Sequence, residues 1–321
     1  MITHLKRISA IIFSTFLFIN LASADLPKKV AISQIVAHPT LDKVRLGIIA
    51  GLKEAGFNDH KNIIIDYQNA NGSVVLASQI AKKFVSENND IIIAITTPSA
   101  QTVASVAHSV NSDIPIIFAT VTDPVKAKLV SSFEYPGGNI TGTSNPSAIA
   151  QQLALVKKFL PDIKSLGLVI NFSEVNSVEL LSQVKQESKK SNIEVVVVAA
   201  NSSSDVSSAA KSLVAQVQAV FLLQDNTVAS ALPSLMKVMN KNNIPVFATF
   251  TEAIDQGALA AMAYDEYQIG IQTGKMAAKV LNGTKPEDIP VESPIKLDLV
   301  VNKKVARALN LKIPLMHGFR N

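Results

Sequence analysis

The chain has 321 residues, 48% of them hydrophobic and 17% charged, with a net charge of +5. That length suffices for two domains with separate cores, and the complete lack of cysteine excludes disulfides, zinc–thiolate sites, thiol nucleophiles and a lipid-modified N-terminal cysteine. The lysines are scattered, as in Lys82-Lys83, Lys157-Lys158 and Lys189-Lys190, rather than gathered in a stripe with aromatics, which argues against a nucleic-acid partner.

The first residues read as a secretory signal. Lys6-Arg7 precede the apolar run 8–21, and Ala22-Ser23-Ala24 supplies small residues for cleavage. The apolar run is shorter than the ~20 residues a spanning helix needs, so a retained membrane anchor is the weaker alternative. Removal of residues 1–24 leaves a chain starting near Asp25, and loss of Lys6 and Arg7 lowers its charge from +5 to +3.

A strand is predicted over 30–36, then a turn at Ala37-His38-Pro39-Thr40 and a helix over 41–55 closed by Gly56. A second strand over 62–67 leads to a helix over 74–87. The third strand, 91–95, carries four isoleucines without polar alternation, the mark of a strand covered on both faces. It runs into Thr96-Thr97-Pro98-Ser99 and a helix to about residue 110, with Thr97 or Ser99 as the expected cap. Free N–H groups and the positive end of a helix dipole beside two hydroxyls suit an anion, above all a carboxylate. A fourth strand spans 114–120.

The second half repeats this order. Strands are predicted over 165–171, 193–199, 219–223 and 244–249, and helices over 178–190, 206–216 and 228–240. Ile244-Pro-Val-Phe-Ala-Thr249 nearly copies Ile114-Pro-Ile-Ile-Phe-Ala-Thr120. Strands alternating with helices imply α/β architecture: two doubly wound, parallel-sheet lobes. Three stretches, 137–143, 261–264 and 290–294, are the expected crossovers. They divide the chain into a first lobe of 25–143 plus 264–292 and a second of 144–263 plus 293–321, hinged on one another.

Ligands of open parallel sheets sit beyond the carboxyl ends of the strands. The first lobe offers His38, Thr97-Pro98-Ser99, Thr120, Thr122 and Asp123 there. The second offers Phe172, Glu174, Asp225-Asn226 and Phe250, with Tyr264 at a crossover. In the aligned copies, Thr97-Pro98-Ser99 faces Asp225-Asn226-Thr227. Hydroxyls and a helix start suit the carboxylate of an amino acid, and Asp225 suits its ammonium, at about 1.5–3 kcal/mol per desolvated charge-assisted bond. Asp225 is alternatively the N-cap of the next helix, a role compatible with a ligand if a lone pair stays free. His38 is a ligand contact or a capped turn, and Asn176 reads as a helix cap. Phe172, Phe250 and Tyr264 can stack on a flat side chain or pack in the core.

His4, His60, His108 and His317 lack metal-ligand spacing, so neither metal nor cofactor is expected. Nucleophile-elbow, P-loop, dinucleotide and zinc-protease motifs are missing. A binder of another small solute, a nucleoside or a sugar, is the first alternative. A hydrolase in the same cleft, with His38 and Asp123 as acid and base, is the second.

The chain resembles the periplasmic substrate-binding proteins of ABC importers, in particular the family typified by tryptophan-binding TrpX proteins. The resemblance is carried by Gln34-Ile-Val-Ala-His-Pro-Thr-Leu-Asp42, Thr97-Pro-Ser-Ala-Gln101, Ala119-Thr-Val-Thr-Asp-Pro-Val125 and Gly138-Asn-Ile-Thr-Gly-Thr-Ser144. It continues through Asn171-Phe-Ser-Glu-Val-Asn-Ser177, Asp225-Asn226, 264–270 and 306–314. It implies a type I periplasmic-binding fold with three crossovers, capture of an aromatic or related amino acid, and permease and ATPase subunits as partners. Many relatives are lipoproteins; without cysteine, this chain is expected as a free, monomeric protein of the periplasm.

Overall fold

The computed structural model describes residues 26–315 and 319–320, and the expected signal segment 1–24 lies outside the described residues. The first sheet is built from β1 (Lys28–Gln34), β2 (Ile63–Asn69), β3 (Ile91–Ile95), β4 (Ile116–Val121) and β5 (Ile140–Ser144), in the order β2-β1-β3-β4-β5, all pairs parallel. All five residues of β3 are buried, because α1 (Pro39–Glu54), α2 (Val74–Ser86) and α3 (Thr97–Ser109) leave neither face of the sheet open.

The second lobe begins with α4 (Ile149–Phe159) and continues through β6 (Ser165–Ile170), α5 (Val175–Lys190), β7 (Glu194–Ala199), α6 (Val206–Leu213) and β8 (Ala219–Leu222). Then follow α7 (Asn226–Ser230), α8 (Leu232–Lys241), β9 (Val246–Ala248) and β10 (Ala260–Tyr264). Its strands lie in the order β7-β6-β8-β9-β10, the same winding as the first sheet. The helix α9 (Glu266–Leu281) then returns to the first core, where Met276, Ala277 and Leu281 pack with Val30 and Ile93. The chain passes once more to the second sheet, which gains antiparallel β11 (Leu297–Val301), then α10 (Lys303–Ala308) and β12 (Phe319–Arg320).

Two expected features differ. The helix over 228–240 is two helices, broken at Ala231, with Pro233 in the first turn of α8, where its missing N–H is tolerated. The stretch 137–143 is no bare connector, since Ile140–Ser144 forms an edge strand and the chain leaves the lobe after it.

The closest helix packing joins α1 to α9. Gly47 and Gly51 face Gly270 and Gly274, and a Cβ at Gly47 would collide with the Tyr267 carbonyl while one at Gly270 would collide with that of Val44. Only glycine permits this backbone-on-backbone approach. Both helices start at the cleft between the lobes, so the packing also fixes what their first turns present there.

Candidate ligand-binding cleft

The carboxyl ends of both sheets meet across a narrow cleft. On the first-lobe side it is lined by four threonines, Thr96, Thr97, Thr120 and Thr122, with His38, Thr40 and Leu41 from the start of α1.

The threonine wall is held under strain. Thr96 has φ 81° and ψ 164°, and Thr120 has φ 55°. Positive φ is an outlier for a β-branched residue, and the Thr96 conformation costs on the order of 1–3 kcal/mol. The Thr96 N–H still pairs with the Ala119 carbonyl at 2.9 Å, while its hydroxyl is buried without a partner. The expected cap by Thr97 or Ser99 is not formed: α3 starts at Thr97, so both lie inside the helix, and Thr96 at the cap position accepts nothing through its side chain. The Ser99 hydroxyl is buried and unpaired too. The outcome is a helix start without a side-chain cap, its positive end bordering the cleft.

The wall opposite is finished differently. α7 starts at the equivalent place after β8 and is clamped by two acids. The Asp225 carboxylate accepts the Val228 N–H at 2.9 Å and the Asn171 N–H at 2.7 Å, and Ser177 adds a third bond. Glu174 accepts the N–H groups of Asn226 and Thr227 at 3.0 and 2.9 Å and the Thr227 hydroxyl at 2.8 Å. Asp225 is thus the N-cap that the sequence held as its alternative role. Three of its roughly four lone-pair positions are taken. Burial, then the neighbouring Glu174 carboxylate, push its pKa up, against its hydrogen bonds. Asp225 and Asn226 line the cleft with Asn176, Gln224, Ala229 and Phe250. Glu174 does not; it borders an outer cavity together with Pro98 and Asn171.

Sequence reasoning did not place Thr40, Leu41, Thr96, Asn176, Gln224, Ala229 or Glu266 among the ligand contacts, and of these Glu266 is the ionisable one. It is fully buried at the first turn of α9, accepting the Thr120 hydroxyl at 3.0 Å and the Asn145 side-chain N–H at 2.7 Å. Burial pushes its carboxyl up to about 8. Its signal was a dipeptide, Asp265-Glu266, directly after a strand at a crossover. The Asp265 carboxylate caps α9 through the Tyr267 and Gln268 N–H groups, and Glu266 looks like one more first-turn acid.

His38 is buried, and desolvation drives its pKa down to about 4 despite Asp42 and Glu252 nearby, so the imidazole is neutral at neutral pH. It meets the Asn226 side chain across the cleft, and its Nε2 has no protein partner. It stands before α1 without capping it, so the capped-turn alternative is not realised. The remaining candidates fall away from the cleft. Asp123 accepts the N–H groups of Val125 and Lys126 in a turn, so no acid–base pair with His38 is assembled. Phe172 is 52% exposed and Tyr264 borders a smaller neighbouring cavity, leaving Phe250 as the aromatic of the cleft.

Contacts between the lobes run around this site. The Thr40 hydroxyl and Lys43 Nζ reach Glu252 at 3.1 and 2.7 Å, and Lys126 Nζ reaches Glu179 at 2.5 Å. Among the described residues no group of three or more histidines and acids is placed to hold a metal ion, and no helix is long and apolar enough to cross a membrane.

The model of the ABC transporter substrate binding protein family matches residues 29–315. A tyrosine-binding protein of Clostridioides difficile is 41% identical over 89% of this chain and 81% of its own. A crystal structure of an ABC domain from Streptococcus pneumonia in complex with L-Trp is 34% identical, with a TM-score of 0.85 over 90% of this chain and 96% of that one. The ligand-free, open structure of a substrate binding protein with adhesive properties from Clostridium difficile is 38% identical, yet its TM-score is 0.67 over 91% and 98%. The more identical of these two chains is thus the less similar in shape.

Proposed function

This chain belongs to the ABC transporter substrate-binding protein family, with the type I periplasmic-binding fold, and on that premise we propose that it captures an aromatic amino acid, tyrosine or tryptophan, between its lobes. The captured amino acid is handed to a permease driven by its ATPase subunits. The protein works as a free monomer in the periplasm, after cleavage of residues 1–24. The observation that carries the reading is the unequal finish of the two cleft walls.

A zwitterion needs a cationic partner for its carboxylate and an anionic one for its ammonium. Among the described residues no lysine or arginine lines the cleft, so the open start of α3 with Thr97 and Thr122 takes the first role, the Thr120 hydroxyl already being donated to Glu266. Buried acids, Asp225 and Glu266, are available for the second. Leu41, Ala229 and Phe250 supply apolar surface for a ring. The neutral imidazole of His38 adds a polar contact that needs no charge.

A thermal-shift screen of amino acids, nucleosides and sugars tests this. A ligand at ~100 times its Kd stabilises the folded state by about 2.7 kcal/mol, so tyrosine or tryptophan should raise the melting temperature by several degrees. A shift with a nucleoside or sugar and none with any amino acid sinks the proposal.

A further inference from the structure

Two acids line the cleft, and one ammonium cannot be matched to both on equal terms. Asp225 is already spoken for: its bonds to Asn171, Val228 and Ser177 hold the start of α7. Glu266 accepts two bonds, from Thr120 and Asn145, and neither partner carries a positive charge. About two of its four lone-pair positions are therefore free. A fully buried carboxylate with spare acceptors and no cation is the group that gains most from a cation brought into the cleft. Its neighbour Thr120 belongs to the wall that would take the ligand's carboxylate, so the two charges of one α-carbon meet their partners side by side.

Resting on the reading given under Proposed function, we propose that Glu266 is the anchor for the ligand's ammonium group. The titratable groups around it point the same way. Glu252, from the loop after β9, and Asp265, beside it in sequence, both disfavour a second negative charge at Glu266. Asp225 and His38 line the same cleft, and Lys43 is bound to Glu252. At neutral pH Glu266 therefore holds a proton until a cation arrives. Capture of the amino acid as its ammonium form then expels that proton to solvent, one for each ligand bound. The affinity for the amino acid rises with pH toward about 8, where Glu266 ionises unaided.

Isothermal titration calorimetry at about pH 7 in two buffers of different ionisation enthalpy, phosphate and Tris, reads this directly. With tyrosine or tryptophan, wild-type protein should release close to one proton per ligand. Glu266→Gln should release none and bind at least tenfold more weakly. A deaminated analogue, 3-(4-hydroxyphenyl)propionate, should release no proton from wild type and be affected little by the substitution. A thermal melt of Glu266→Gln before titration shows that it is folded. Unchanged proton release in Glu266→Gln, or affinity within threefold of wild type, overturns the inference. Release that survives there but vanishes in Asp225→Asn moves the ammonium to Asp225 and also overturns it. Wild type that binds no amino acid at all overturns the proposed function and the anchor with it, whereas the first two results leave that function standing.

Discussion

The loop after β3 and the loop after β8 stand at equivalent places in two sheets of the same winding. Each launches a helix at the cleft. The second launch is saturated: Asp225 and Glu174 occupy the N–H groups of Asn226, Thr227 and Val228. The first is bare: Thr96 is twisted to φ 81°, no side chain caps α3, and the Thr96 and Ser99 hydroxyls are unpaired. Equivalent places in the two sheets thus carry opposite finishes, and so opposite electrical character. The lobe that caps its helix with acids repels a carboxylate and the lobe that leaves its helix uncapped receives one. Orientation of a zwitterion then follows from where the caps are missing.

The comparison breaks most sharply if the bare launch is given an acid. Thr96→Asp places a carboxylate where the ligand's own should sit. Affinity for tyrosine or tryptophan should fall at least hundredfold, about 2.7 kcal/mol, while the melt of the unliganded protein stays unchanged or rises through the new cap. Calorimetry and a melt on the same sample check both halves. Unaltered affinity would show that α3 does not hold the carboxylate.

Removing the cap from the saturated launch tests the other side. Asp225→Ala loses a helix cap, worth about 0.5–2 kcal/mol, and strands the Asn171 N–H, which costs about 1–3 kcal/mol. Stability should drop by roughly 2–4 kcal/mol in urea unfolding. Ser99→Ala, which deletes a hydroxyl with no partner, should stay within ~0.5 kcal/mol of wild type. The three bonds held by Asp225 set the two substitutions apart.

Titration sharpens the contrast further. Glu266 is raised to about 8 in the folded chain, so its contribution to stability is complete below about pH 4.5 and lost as pH climbs to 8. His38, lowered to about 4, behaves oppositely: its contribution is complete above about 6.5 and lost as pH falls to 4. These two groups alone place the best stability of the unliganded protein in mildly acidic solution. Each slope is at most ~1.4 kcal/mol per pH unit. Melts from about pH 5 to 8.5 should show Glu266→Gln losing the alkaline decline. The smallest effect belongs to Lys43→Ala. Lys43 is half exposed, so its bond to Glu252 is worth under ~1 kcal/mol, and ligand dissociation should quicken only a few-fold.

Much of this was legible in the sequence. The isoleucine run of β3, the twin Ile-Pro segments before β4 and β9, and the winding they imply follow from local pattern. The threonine wall and the place of Asp225 followed from the alignment of the copies. What stayed hidden depends on distant partners. Glu174 clamps a helix 52 residues further along the chain, at Asn226. Glu266 owes its burial to Thr120 and Asn145, which are 146 and 121 residues away. The twist of Thr96 is likewise no property of threonine, which avoids positive φ; the surrounding sheet imposes it.

The glycine seam between α1 and α9 has a mechanical corollary. Two backbones locked carbonyl-to-Cα have no slack with which to slide. Thr40 at the head of one and Glu266 at the head of the other must therefore swing as a single piece. Thr40 belongs to the latch on Glu252, and Glu266 forms part of the chamber floor. Latch and floor keep step, so the chamber cannot be unfastened without its base tilting away from whatever rests on it.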